Sequence, residues 1–222
     1  MTSDVIPICD RPTFVAWLRE HADSDLGAQG PTHTHDAIPY DVDDLHFLYT
    51  LIRDTCAISF LEYGSGWSTL ACSRAISENK ASFGDAYTDE HPNRFELLTV
   101  DASQHWQTVA LQRLPREYSS VVSTCLAPAK LIDYSGQVAS VFDGVPAFTP
   151  DVIYVDAPDP RQVTGQVLGF DAASLNEIPI AADLLFREFS LWPGTVIVFD
   201  GRTSNARFLH KNFRRNWQWL HD

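Results

Sequence analysis

Positive charge is what this chain is shortest of. Sixteen Lys and Arg stand against 29 Asp and Glu, a formal net charge of −13 over 222 residues. A phosphate backbone would meet a repelling field, so nucleic acid is disfavoured as the main partner. No C-x-x-C pair occurs among Cys9, Cys56, Cys72 and Cys125, each of which has apolar or small neighbours. Buried thiols in a reducing cytosol are expected instead. No apolar run approaches the length of a bilayer span. Met1-Thr2-Ser3-Asp4 lacks a basic region leading into a long apolar one, so no signal peptide is read, and there is no N-x-S/T acceptor. The expectation is a cytoplasmic protein with a small-molecule partner and neither nucleic acid nor membrane; oligomeric state is left open. Hydrophobic content of 45% and charged content of 20% are ordinary for a globular chain, and the length suffices for one α/β domain with a sizeable core.

What the chain does have is four apolar, β-rich runs that each stop on an acid: Ile58 to Glu62, Leu97 to Asp101, Val152 to Asp156 and Val196 to Asp200. Short continuous apolar runs are expected of a parallel sheet buried on both faces. Ligands of open α/β sheets sit outside the carboxyl ends of the strands, so the carboxylates are expected to crowd one rim. That rim suits a ligand with hydroxyls and a positive charge better than one with phosphates.

Helical patterns separate the runs. Phe14, Trp17 and Leu18 mark a short helix after Pro12, and 26–39 is loop-like. Asp41 is placed to cap a helix carrying Leu45, Leu48, Tyr49 and Ile52 on one face. Ser68 to Ser77 reads as helical, and Asn79 to Glu96 as a polar insertion. Ser103 is placed to cap a helix with Trp106, Val109, Ala110 and Leu114. Tyr118 to Thr124 reads as a strand, and Leu131 to Phe142, around Ser135-Gly136-Gln137, as a hairpin. Leu185, Phe189 and Trp192 mark a helix stopped by Pro193-Gly194. The long stretch 157–180 is expected to be a lid hinged at Gly165 and Gly169. The β-α-β order predicts a doubly wound, mostly parallel sheet with helices on both faces. One domain is expected over 1–222, with an N-terminal helix and loop (1–40) and an α/β core (41–222).

The first run enters Tyr63-Gly64-Ser65-Gly66-Trp67-Ser68-Thr69. A dinucleotide fingerprint would have a third glycine where Thr69 stands, and a P-loop would have a lysine after its last glycine. A nucleophile elbow would need a glycine where Leu70 stands. What remains, Glu62-x-Gly64-x-Gly66-x-Ser68, resembles motif I of the class I S-adenosylmethionine-dependent methyltransferases. Leu97 to Asp101 is similar to motif II, Asp151 to Asp156 to the fourth strand, and Trp192 to Asp200 to the P-G-G turn and fifth strand. The wording around Asp156-Ala157-Pro158-Asp159-Pro160 and Asp200 to Leu209 resembles small bacterial methyltransferase-like proteins. The Asn79 to Glu96 insertion lengthens the spacing between Glu62 and Asp101, and only Asn216 to Leu220 is left for the family's closing hairpin.

The resemblance implies S-adenosylmethionine (SAM) as cofactor and O- or N-methylation of a small molecule, with a sugar or an anionic metabolite among the acceptors considered. It implies cofactor contacts from Glu62, Tyr63, Gly64, Ser65, Gly66, Ser68, Asp101 and Asp156. Asp101 would bind the ribose hydroxyls and Glu62 the methionine amino group, directly or through water. For a hydroxyl acceptor Asp156 is the first candidate base and Asp159 the second. A divalent metal at Asp156 and Asp200 is disfavoured, because Gly201 stands where a further acid or Asn would be wanted. His33-Thr34-His35-Asp36 reads as a solvated loop, and Arg207, Lys211, Arg214 and Arg215 as a basic face of a tail helix. Two alternatives stay open: a non-catalytic SAM- or nucleoside-binding module, and a hydrolase using Ser68 with Asp156 and His210.

Overall fold

The computed structural model describes residues 5–26, 40–87, 90–172, 179–199 and 201–220. Asp200 and the His33 to Asp36 cluster lie outside them. Each apolar run becomes a strand: β1 (Ser59–Tyr63), β2 (Glu96–Asp101), β6 (Val152–Val155) and β8 (Val196–Phe199), joined by β3 (Val122–Leu126). All are parallel, in the order β3-β2-β1-β6-β8. The sheet is therefore doubly wound, as expected from the run order.

Alternation along the strands divides the core. Phe60, Leu97, Val152 and Tyr154 pack with α1 (Arg11–Leu26), α2 (Val42–Asp54) and α3 (Trp67–Phe83). Leu61, Tyr63, Val100, Ile153 and Val155 face the other way, toward β4 (Ala129–Tyr134), β5 (Gln137–Phe142) and buried Leu184, Leu191, Phe208 and Leu209. Ser135 and Gly136, both at positive φ, make the two-residue turn of the β4–β5 hairpin. Asp41 caps α2, accepting from the Asp43 and Asp44 amides, and Ser103 caps α4 (Gln104–Arg113).

Several local expectations are corrected. Helix α3 runs on to Phe83, through part of the stretch read as an insertion, because its polar residues have buried partners. Asn79 donates to the Ile52 and Ala57 carbonyls and accepts from Arg53, and Ser82 accepts from the Ile6 amide. Tyr118 lies in the short helix α5 (Arg116–Ser119), packed edge-on against Trp17, and the strand starts only at Val122. The helix α6 (Asp183–Arg187) is short; Leu184 within it and Leu191 beyond it are buried, while Phe189 and Trp192 are exposed. The final helix, α7 (Thr203–Asn212), ends before Arg214 and Arg215, so the four basic residues do not share one helical face. The Arg214 and Arg215 amides instead donate to buried Glu188, which also accepts from the Trp217 indole. This holds 213–220 as irregular chain, and among the described residues no strand pairs with the outer edge of β8.

The lid expectation is corrected in part. β7 (Val163–Thr164) pairs with β4, Val163 is buried, and the Thr164 hydroxyl donates to the Ala129 carbonyl, so this part of the segment belongs to the scaffold. No helix among the described residues is long and apolar enough to cross a membrane.

The buried side chain of Asn79 joins three backbone or side-chain groups of α2 and the turn after it. Asn79→Ala should remove three buried hydrogen bonds, those to Arg53 Nη1 and to the Ile52 and Ala57 carbonyls, and lower the unfolding free energy by about 2–4 kcal/mol, measured by urea denaturation.

Candidate functional site

The chain leaves β1 toward β2 on one side and returns as β6 on the other, so a crevice opens between the ends of β1 and β6. The two ends are tightly joined, Tyr63 lying opposite Val155 and the Asp156 amide donating to the Tyr63 carbonyl at 2.9 Å. Gly64 sits here at φ +105°. A Cβ on it would come within 3.1 Å of the Ala157 Cβ and 3.3 Å of the Asp156 carbonyl. Glycine is needed at this position by the neighbouring strand itself. At Gly66 a Cβ would meet nothing within 4 Å, and the residue lines the cavity above.

Beneath this loop lies Glu62. It is fully buried, and its two carboxylate oxygens accept from the Ser68 and Thr69 hydroxyls at the start of α3. Thr69 Oγ1 in turn accepts from the Gly66 amide at 3.1 Å. A carboxylate expected to reach the ligand thus does its work from behind, fixing the turn and the first residues of the helix. Burial pushes its pKa up to about 7, against the lowering effect of the Ser68 and Thr69 hydrogen bonds. Tyr63 also points away from the cavity, stacking on Phe142 at 5.7 Å in the opposite core.

The remaining expected residues come together. Gly64, Ser65, Gly66, Ser68, Asp101, Asp156 and Asp159 all line a cavity of about 400 Å³. Asp101 ends β2, almost buried. Its Oδ2 accepts from the Ser65 amide at 2.8 Å and its Oδ1 from the Ser103 amide at 2.7 Å. These bonds, with a further backbone bond from Ala102, fix the carboxylate plane. Desolvation raises the Asp101 pKa against the lowering effect of these bonds. Asp156 is 46% exposed and faces the Arg202 guanidinium at 3.7 Å, while Arg202 also donates to the Asp156 carbonyl. Asp159 is gripped by Arg161 through both carboxylate oxygens. Although its burial acts the other way, these bonds hold its pKa below the ordinary value, which makes it the weaker base. Ser68 spends its hydroxyl on Glu62, and His210 packs on Trp219, so the Ser–His contact of a hydrolase is not formed.

Sequence reasoning missed the walls. Trp67, Trp106, Tyr154 and Phe142 supply aromatic surface, Tyr40 packs edge-on to Trp67, and the Arg113 guanidinium lies 3.9 Å above the Trp67 ring. Asp41 and Asp44 add carboxylates from the start of α2. Trp67 stands inside the glycine motif and could have been singled out there; Tyr40, Asp44 and Arg113 carry no local mark. Among the described residues no group of three or more His, Cys, Asp or Glu side chains is arranged to hold a metal ion.

No family model matches the chain, and no curated protein matches it. Solved structures similar to it include an O-methyltransferase from Bacillus cereus in complex with SAH, 18% identical, covering 93% of this chain and 80% of that one, with a TM-score of 0.42. An SAH-bound methyltransferase from Podospora anserina is 18% identical over 99% of this chain and 72% of that one, with a TM-score of 0.43. The cofactor-bound Rv0187 from MTB is 16% identical over 67% of this chain, with a TM-score of 0.39, and the match spans only 55% of its length.

Glu62 should be visible in the pH dependence of stability. Its folded pKa of about 7 lies above the ordinary 4.5, so the folded state binds the proton more tightly than the unfolded one. The cost of burying the charge is absent below about pH 4.5, grows as pH rises through about 7, and is then constant. The unfolding free energy should fall by up to a few kcal/mol across that window. In Glu62→Gln this fall should shrink, with a remainder from Asp183, which burial also pushes up to about 7. Urea titrations at a series of pH values read the difference. An identical fall in both proteins would mean that Glu62 stays ionised when folded.

Proposed function

We propose that this chain binds SAM in the crevice between β1 and β6 and transfers its methyl group to a small-molecule acceptor by O- or N-methylation. The observation that carries the reading is the placement of Asp101. A carboxylate fixed by backbone amides borders the cavity directly beside a glycine turn whose second glycine is open to it. Such a carboxylate suits a pair of ribose hydroxyls. The open space at Gly66 and the first amides of α3 suit the amino-acid end, whose carboxylate is favoured at a helix N-terminus. Trp67 and Trp106 offer flat apolar surface for a base, and the surplus of carboxylates favours a cationic ligand over a phosphorylated one.

SAM, when bound, supplies an electrophilic methyl group. The residues of the chain then have to orient the acceptor and exclude water. A hydroxyl or ammonium acceptor must also lose a proton. Asp156 is our choice of base, because its carboxylate is partly exposed on the cavity wall while Asp159 is committed to Arg161. Arg202, beside Asp156, would fix the orientation of that carboxylate. We place the reaction in the cytoplasm, in keeping with four cysteines that are all unpaired.

Calorimetry on the purified chain tests the cofactor. SAM should bind in the micromolar range, about −8 kcal/mol. Asp101→Ala should lose roughly 2–3 kcal/mol of that, since charge-assisted hydrogen bonds disappear. Gly66→Val should remove binding while leaving the circular dichroism spectrum unchanged, since a Cβ there meets no protein atom. NAD binding in place of SAM would sink the proposal. SAM binding with no transfer to any member of a small-molecule pool would leave a non-catalytic binding module.

A further inference from the structure

The opposite ends of the same strands border a second cavity, of about 410 Å³. It lies against Ile58, Val152 and Val196, at the amino ends of β1, β6 and β8, with Tyr87, His91, Asp151 and Trp192 around it. Nothing in the proposed methyl transfer uses it. Its volume falls within the range of small-molecule sites.

Two polar groups in it are fixed and incompletely paired. Asp151 lies at the start of β6, and its Oδ2 accepts from the Ile58 and Ser59 amides at 2.9 and 3.1 Å. This orients the carboxylate and leaves Oδ1 toward the His91 side. The His91 side chain is only 10% exposed, and its Nε2 is buried with no hydrogen-bond partner. Its Nδ1 accepts from the Asn93 amide at 3.1 Å. Asn93 is itself held, its side chain accepting from the Thr149 amide and donating to Glu96. An Nδ1 that accepts carries no proton, so the neutral ring carries its proton on Nε2. Nε2 and Asp151 Oδ1 are 4.0 Å apart, too far for a hydrogen bond with each other.

The pair therefore presents a donor and an acceptor with no direct link. A group that joins them must accept from Nε2 and donate to Oδ1. A protonated amine cannot accept. A carboxylate cannot donate, and it would be repelled by Asp151 and Glu90 in a cavity that no Lys or Arg lines. A hydroxyl does both. An oxygen about 2.8 Å from each atom would see them at roughly a right angle, close to the angle between its own proton and lone pair. The half-exposed Trp192 ring packs edge-on against the imidazole, at 5.1 Å between centroids, and Tyr87 completes an aromatic wall. We propose that this cavity is a second small-molecule site, for a neutral aromatic ligand whose hydroxyl bridges His91 Nε2 and Asp151 Oδ1. Because Nε2 is shielded from water in the free protein, Trp192 yields as the ligand enters, and the unpaired donor gains the partner it lacks.

The test is an NMR titration of the full chain with phenol, benzylamine and benzoate, matched in shape and differing in the polar group. Phenol should shift the Trp192 indole and His91 ring signals in a saturable way with millimolar affinity. Benzylamine and benzoate should bind at least about tenfold more weakly. In Asp151→Asn the Ile58 and Ser59 amides keep the side-chain oxygen, and an NH₂ donor replaces Oδ1. Phenol affinity should fall about tenfold there, and likewise in His91→Phe, with SAM binding unchanged in both. Equal binding of all three probes, shifts confined to the glycine-loop cavity, undiminished phenol binding by a folded Asp151→Asn protein, or no saturation by about 50 mM would each overturn the proposal. Because SAM binding is read separately, loss of this site and loss of the methyl-transfer reading give different results.

Discussion

The carboxyl rim of this sheet depends on one buried carboxylate. Glu62 sits fully buried where β1 ends and holds Ser68 and Thr69, and through Thr69 the amide of Gly66. A tight turn between a buried strand and a helix carries unpaired amides and hydroxyls that water cannot reach, and leaving them unpaired costs more than the net gain from a typical hydrogen bond. One acid at the strand end meets that need. The turn is then free to present its open side, at Gly66, to the cavity. Gly64 adds a steric condition of a different origin, since the Asp156 backbone lies too close for a side chain.

The β1–β6 pair links both ends of the molecule. At its carboxyl end Asp156 donates its amide to Tyr63, and at its amino end Asp151 accepts from Ile58 and Ser59. Each cavity thus borrows an acid from a flank of β6, and in each case hydrogen bonds to or from β1 and its flanks fix that residue. In a parallel sheet buried on both faces, the strand ends are where backbone groups run out of ladder partners, so polar side chains collect there.

Local cations temper the acidity of the chain. Arg161 neutralises Asp159, Arg202 faces Asp156, and Arg113 lies over Trp67. Asp101 has backbone amides in place of a cation, and burial raises its pKa. The carboxylates on the cavity wall therefore differ in what they can do. One is held by backbone amides, one is half-exposed beside a guanidinium, and one is committed to an internal ion pair.

The doubly wound class, the positions of β1, β2, β6 and β8 and the glycine turn were legible in the sequence, because continuous apolar runs ending on an acid suit a buried parallel sheet, whereas the strand order was read only from the structure. The same holds for the Asp41 and Ser103 caps, which act within three residues of themselves. The reading failed where a partner lies far along the chain. Asn79 looked like the start of an insertion because its carbonyl partners are on α2 and the following turn, and Phe189 and Trp192 looked like core because nothing local shows that Leu184 and Leu191 fill that place. Sequence determined which acids stand at the strand ends. Tertiary structure alone decided that Glu62 turns beneath the loop, that Asp101 faces the cavity and that Asp159 is taken by Arg161. The direction a side chain takes at a strand end, and what already occupies its oxygens, are set by neighbours brought there by the fold.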